Sequence, residues 1–192
     1  MICFRFSGLH ISLDFTAPVL AALLSMYLPP AALCRTLAAC LLHECAHLLM
    51  IAMIGKKPVY LRISAAGMRL EAAGTVLLPL HLFTAILLAG PAANLLAAFG
   101  FRIFGMTEAA AANLSLCLFN LLPFRSTDGG TLLCEWLEHR LLPHRPELPR
   151  RILRCTAIGA ALVILTMVYC SDVRSISLCG MILFMLAAEF TD

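Results

Sequence analysis

The sequence predicts an α-helical polytopic membrane protein with about six transmembrane helices and two short β-hairpins. Two observations carry that expectation, and a third orients it. Apolar residues make up 61% of the 192 positions, charged residues only 13%, and the mean hydropathy is +0.93. A soluble domain could not cover so much apolar surface with so few charges. Several runs are long and nearly uncharged, and each can cross a hydrocarbon layer of about 30 Å. With six spans and the N-terminus inside, eleven of the fourteen Lys and Arg residues face the cytoplasm and only Arg35, Arg102 and Arg174 face away. This is the charge bias that orients membrane proteins.

Taken in order, residues 2–14 alternate apolar and polar around Ser7-Gly8, the pattern of a hairpin. Apolar segments follow at 15–28 and 31–54, separated by Pro29-Pro30. Residues 56–76 alternate again (Leu61 and Ile63 against Arg62 and Ser64, then Met68 and Leu70 against Arg69 and Glu71), which predicts a second hairpin. Further apolar segments occupy 79–104, 107–122, 151–170 and 174–190. Between them, residues 128–150 form an amphipathic stretch around Trp136, an interfacial anchor, followed by a Pro/Arg-rich linker suited to anionic lipid heads. The whole reads as one domain over 1–192, with a core at about 31–142 and a C-terminal helical pair at about 151–190.

The start of the chain lacks a basic region followed by an apolar core and a cleavage site, so no signal peptide is expected. Nine cysteines are scattered without a CxxC pair, so neither a disulfide framework nor a thiolate metal site is expected. A net charge of +3 gives no support for nucleic-acid binding. Lipid and membrane-protein partners are expected instead.

The chemistry concentrates in "LLHECAHLLM", residues 41–50. An ionisable side chain near the bilayer centre costs about 2.5–3.5 kcal/mol on insertion scales, so three together need a reason. His43 and His47 are spaced i, i+4 and project from one helical face, where two imidazoles can share one metal ion. Glu44, about a hundred degrees further round, is placed as a general base. HExxH is the zinc-peptidase arrangement. The plainer alternative is a buried polar cluster hydrogen-bonded between helices. A catalytic zinc needs a third protein ligand, and Asp128 in "NLLPFRSTDGG" is the best candidate, because the glycines beside it permit irregular backbone at a cavity. Taken alone, Asp128 reads as a helix N-cap worth about 1 kcal/mol. His10, His81, His139 and His144 lack partners at ligand spacing and read as surface or interfacial residues.

With "HECAH", "GPAAN" at 90–94 and "NLLPFRSTDGG" at 120–130 in this order, the chain resembles the site-2 type intramembrane zinc metalloproteases. The resemblance implies zinc held by His43, His47 and Asp128, with Glu44 as catalytic acid/base. It also implies that Asn120 helps to position substrate backbone, and that Gly90, Pro91 and Asn94 shape the neighbouring helix, with Asn94 near the substrate. Among subfamilies the chain is similar to the compact six-span type that includes stage IV sporulation protein FB. It differs at the C-terminus, where only Thr191-Asp192 follow the last apolar run in place of a CBS domain, and there is no room for a PDZ insertion.

The expected activity is therefore hydrolysis of a peptide bond within or beside a transmembrane segment of another protein. The expected location is a bacterial cytoplasmic membrane, with multiple passes and both termini cytoplasmic. Two alternatives of other classes are a catalytically silent relative that binds membrane clients, and a zinc or proton transporter using His43, Glu44 and His47 as a relay. A transport path needs polar groups in both halves of the membrane, and stretches such as "AALCRTLAAC" offer little. A helical peptide bond has its carbonyl engaged, so the substrate must arrive extended. The alternating stretch 59–71, with Ile63 at its centre, is the expected strand edge that would pair with it.

Overall fold

The computed structural model describes residues 2–6, 9–15, 28–55, 58–64, 67–72, 78–141, 147–170 and 176–190, with a few single positions between 16 and 27. The tip at Ser7-Gly8, most of the apolar segment 15–28 and the first half of the linker at 143–150 lie outside these residues. The described residues group into two compact units, 1–118 and 119–192. The division falls near the end of a helix, not at the Pro/Arg-rich linker where composition changes.

The first unit begins with both expected hairpins. β1 (Ile2–Phe6) pairs antiparallel with β2 (Leu9–Leu13), and β3 (Pro58–Ser64) pairs antiparallel with β4 (Gly67–Ala72). The sequence did not reveal that they are one sheet. β2 and β3 run parallel, with His10 opposite Tyr60 and Leu13 opposite Ile63, giving the order β1-β2-β3-β4.

Helix α1 (Pro30–Met53) begins with proline at its first position, where the missing N–H costs nothing. Its 24 residues rise about 36 Å, enough to cross a bilayer. Helix α2 (Leu80–Ile103) has the same length. Their buried residues are spaced by four: Ala39, His43, His47 and Ile51 on α1, and Ile86, Gly90, Asn94 and Ala98, with Pro91, on α2. Two matched rows of this spacing interdigitate as ridges and grooves. Side chains off these rows, such as Leu41, Leu49, Leu96 and Phe99, are exposed, as lipid-facing positions should be. Helix α3 (Thr107–Asn120) follows, and Arg35 near the start of α1 pairs with Glu108 near the start of α3 at 2.6 Å.

The second unit contains α4 (Asp128–Leu141), α5 (Leu148–Cys170) and α6 (Ile176–Phe190). Its core is Phe124, Ala157, Ala161, Ile182 and Met185, with alanines on α5 admitting the larger side chains. Arg140 lies over the Trp136 ring on α4, 4.8 Å from its centre.

Among the described residues three helices, α1, α2 and α5, are long and apolar enough to cross a membrane. The chain is an α-helical membrane protein, but the expected count of six spans is not reached on these criteria. The segment read as a span at 107–122 is a helix of 14 residues, rising about 21 Å, and the last helix has 15 residues. Both are shorter than the roughly 20 residues that a crossing needs.

Candidate metal centre

The two histidines lie on the packed row of α1, so they face α2 and are buried, His43 4% and His47 7% exposed. Their Nε2 atoms are 3.1 Å apart. Two nitrogens bound to one zinc at about 2.0–2.1 Å with tetrahedral angles stand about 3.3 Å apart, so the pair is already spaced as co-ligands. The rings meet nearly at right angles, 81° between planes. The Nδ1 of His47 is 2.7 Å from the Ile86 carbonyl. A carbonyl accepts only, so Nδ1 carries the proton and donates, which leaves the Nε2 lone pair for a metal.

The neighbouring helix explains why the pair can sit there. A Cβ on Gly90 would lie 2.5 Å from His47 Nε2 and 2.6 Å from both Cε1 and Nε2 of His43. Only glycine leaves that space. Pro91 cannot donate to the Leu87 carbonyl and so interrupts the α2 ladder beside the Ile86 carbonyl that receives His47. Asn94 is fully buried, and its Nδ2 donates to the Ala39 carbonyl at 3.3 Å, one turn from His43. The contacts Ala39–Asn94, His43–Gly90 and His47–Ile86 step in opposite directions along the two helices, which are therefore antiparallel. Asn94, expected near the substrate, is thus a tether between helix backbones. Glu44 is half-buried, off the packed row of α1, as its place after His43 requires.

In the second unit, Asp128 opens α4 and is half-buried. It is not the helix cap. Thr127 fills that role: its Oγ1 accepts the Gly130 N–H at 3.3 Å and can donate to the Phe124 carbonyl at 2.8 Å or the Leu122 carbonyl at 2.5 Å. Asp128 therefore stands at the first helical position, one residue after the cap. A Cβ on Gly130 would collide with the Phe124 backbone, so glycine is needed for the turn to close. Asn120, the last residue of α3, is half-buried just before this turn. Further along α4, burial pushes the Cys134 thiol up to about 11, and Glu138, which accepts its S–H at 3.5 Å, adds to the effect. Cys134 is a neutral thiol and not a thiolate ligand. Burial also raises Glu135.

His43 and His47 in the first unit, and Asp128 in the second, carry ligand atoms of the kinds that could hold a metal ion. Two neutral imidazoles and a carboxylate are donors that suit zinc, and the Nε2 spacing with the clearance at Gly90 fits it.

The expected strand edge lies elsewhere than at Ile63. That residue is on β3, an interior strand, opposite Leu13 on one side and Met68 on the other, so its backbone has neighbours along both edges. In this half of the sheet the strand with an open side among the described residues is β4. Sequence reasoning missed three partners: the Ile86 carbonyl, which any residue could supply, Thr127, and Glu189. The capping pattern of a threonine three residues before a small residue was a usable signal for Thr127.

No family model and no curated protein matches the chain. Among solved structures it is similar to "Site-2 Protease from Methanocaldococcus jannaschii", with a TM-score of 0.66 and 20% identity over 98% of this chain and 93% of that one. The chain has the fold of a site-2 protease.

Proposed function

We propose that the protein is an intramembrane zinc endopeptidase that cuts a peptide bond within or next to a transmembrane segment of a membrane-protein substrate. The observation that carries this reading is the histidine pair, with Nε2 atoms 3.1 Å apart and His47 Nδ1 committed to the Ile86 carbonyl. Such an arrangement is costly in a membrane unless a metal uses it. His43, His47 and Asp128 hold the ion. Bound zinc supplies a Lewis acid that polarises a carbonyl and lowers the pKa of water towards about 7.

The chain's own residues do the rest. Glu44 takes a proton from the attacking water and returns it to the amine nitrogen as that nitrogen leaves. The Ile86 carbonyl keeps the His47 ring from turning, and Gly90 keeps the space beside both rings clear. The extended substrate pairs along the outer side of β4, not at Ile63, and Asn120 contacts its backbone. The protein passes the membrane several times, with both termini and the two hairpins on the cytoplasmic side of a bacterial membrane.

The test is co-expression with membrane-tethered candidate substrates, wild type against Glu44→Gln. The substitution removes the base and no ligand, so zinc should remain bound while cleavage disappears. Near-normal cleavage by Glu44→Gln refutes the mechanism.

A further inference from the structure

The turn that presents Asp128 is held by a residue more than sixty positions away. Glu189, at the end of α6, is buried, 4% exposed, and its carboxylate accepts the backbone N–H of Arg125. A buried carboxylate this close to an apolar core is costly unless its oxygens are used. The same end of α6 is held in place from α5: the Arg154 Nε donates to the Glu189 carbonyl at 3.1 Å, and its guanidinium lies over the Phe190 ring. Arg125 stands between two anchors of the turn. Phe124 is fully buried against α5 and α6, and Thr127 closes the turn onto Gly130. Phe124 fixes where the turn sits, and Thr127 fixes how α4 begins. The Arg125 N–H, midway between them, is fixed by Glu189.

We propose that Glu189 is a positioning residue for Asp128, setting metal affinity through the hydrogen bond from Arg125 N–H without touching the metal. The inference rests on the reading of Asp128 as a metal ligand. Its consequence is that α6 is part of the metal site's support and not simply a further apolar helix.

Zinc affinity of the purified full-length protein, measured by competition with a chromogenic chelator, tests this without relying on cleavage. Glu189→Ala should lower the affinity about tenfold, the scale on which partners of metal ligands act. Glu189→Gln keeps an acceptor oxygen at the same reach and should restore affinity to within about threefold of wild type. Glu189→Asp draws the carboxylate back by one methylene and should fall between them. Met185→Ala, which loosens the same helix within the core, should lower thermal stability and leave zinc affinity unchanged. Wild-type affinity in both Glu189→Ala and Glu189→Asp overturns the proposal, as does an equal loss in Met185→Ala. Asp128→Ala separates the two readings. If it binds zinc normally, the metal assignment itself fails; if it loses zinc while the Glu189 variants do not, only the positioning role fails.

Discussion

Gly90→Ala adds one methyl at the place where two helices pack most closely around chemistry. The new Cβ would stand 2.5–2.6 Å from the Nε2 atoms of both histidines, where ordinary contact begins at 3.4 Å. Nearly an ångström must be found. His47 cannot supply it by rotating, because its Nδ1–H is held by the Ile86 carbonyl at 2.7 Å on the same helix as the methyl. The helices cannot part cheaply either, since Asn94 fastens α2 to the Ala39 carbonyl one turn away. Overpacking of this kind costs about 1–3 kcal/mol, against which alanine returns about 0.8–1 kcal/mol of helix propensity. A net loss of about 0–2 kcal/mol in the metal-free protein follows. The effect on zinc should be larger, because the methyl lies against the two nitrogens that would hold it, and a loss of at least tenfold is expected. Chelator competition measures the affinity, and co-expression cleavage measures the activity. Gly100→Ala, on the same helix with nothing within 4 Å of its Cβ, is the control and should change neither. Wild-type zinc affinity in a folded Gly90→Ala protein would refute the close-approach argument.

Asp128→Ala should abolish activity and weaken zinc binding while α4 keeps its start, because Thr127 supplies the cap; metal analysis and helicity by circular dichroism check the two halves, and full zinc occupancy would return Asp128 to a structural role. Cys134 gives a pH signature. Its thiol stays protonated in the folded chain to about pH 11, while the unfolded chain ionises from about 9, so its contribution to stability is complete below pH 9 and is lost as pH rises to about 11. Relative to Cys134→Ala, the wild type should therefore lose thermal stability over that window, and parallel curves would contradict the burial argument.

The shared face of the two histidines was legible because i, i+4 spacing fixes it; the roles of Glu44 and Asp128 belong to the proposed function. HExxH places two ligands one turn apart whatever surrounds them, and the fold likeness and the metal-capable group are consistent with that reading. The role of "GPAAN" was legible only as a resemblance. Its physical content, a clearance, a broken ladder and a tether, appears once α1 and α2 are seen to meet every four residues. The tether from Asn94 to the Ala39 carbonyl was not legible for this reason: an asparagine within an apolar run can serve a substrate or a neighbouring carbonyl, and the sequence does not distinguish them. The two hairpins were legible from alternation, but their union was not. Pairing of β2 with β3 joins segments more than forty residues apart, and strand pattern carries no record of a partner. Ile63 was misplaced by the same blindness. Glu189 had no motif, because its partner is a backbone N–H.

The parallel pairing of β2 with β3 also constrains how the chain enters a membrane. These strands lie on either side of α1 in the sequence and side by side in one sheet, so any crossing made between residues 14 and 57 has to be undone before β3 begins. A nascent chain in which that return fails would leave β1–β2 and β3–β4 on opposite faces of the bilayer, each with a bare strand edge of the kind that invites aggregation. Correct insertion joins the halves, and each covers one edge of the other. Under the proposed insertion, the pairing of β2 with β3 would form only when the histidine-bearing helix is threaded so that both strands reach the same face, and a mis-threaded chain would keep both edges bare.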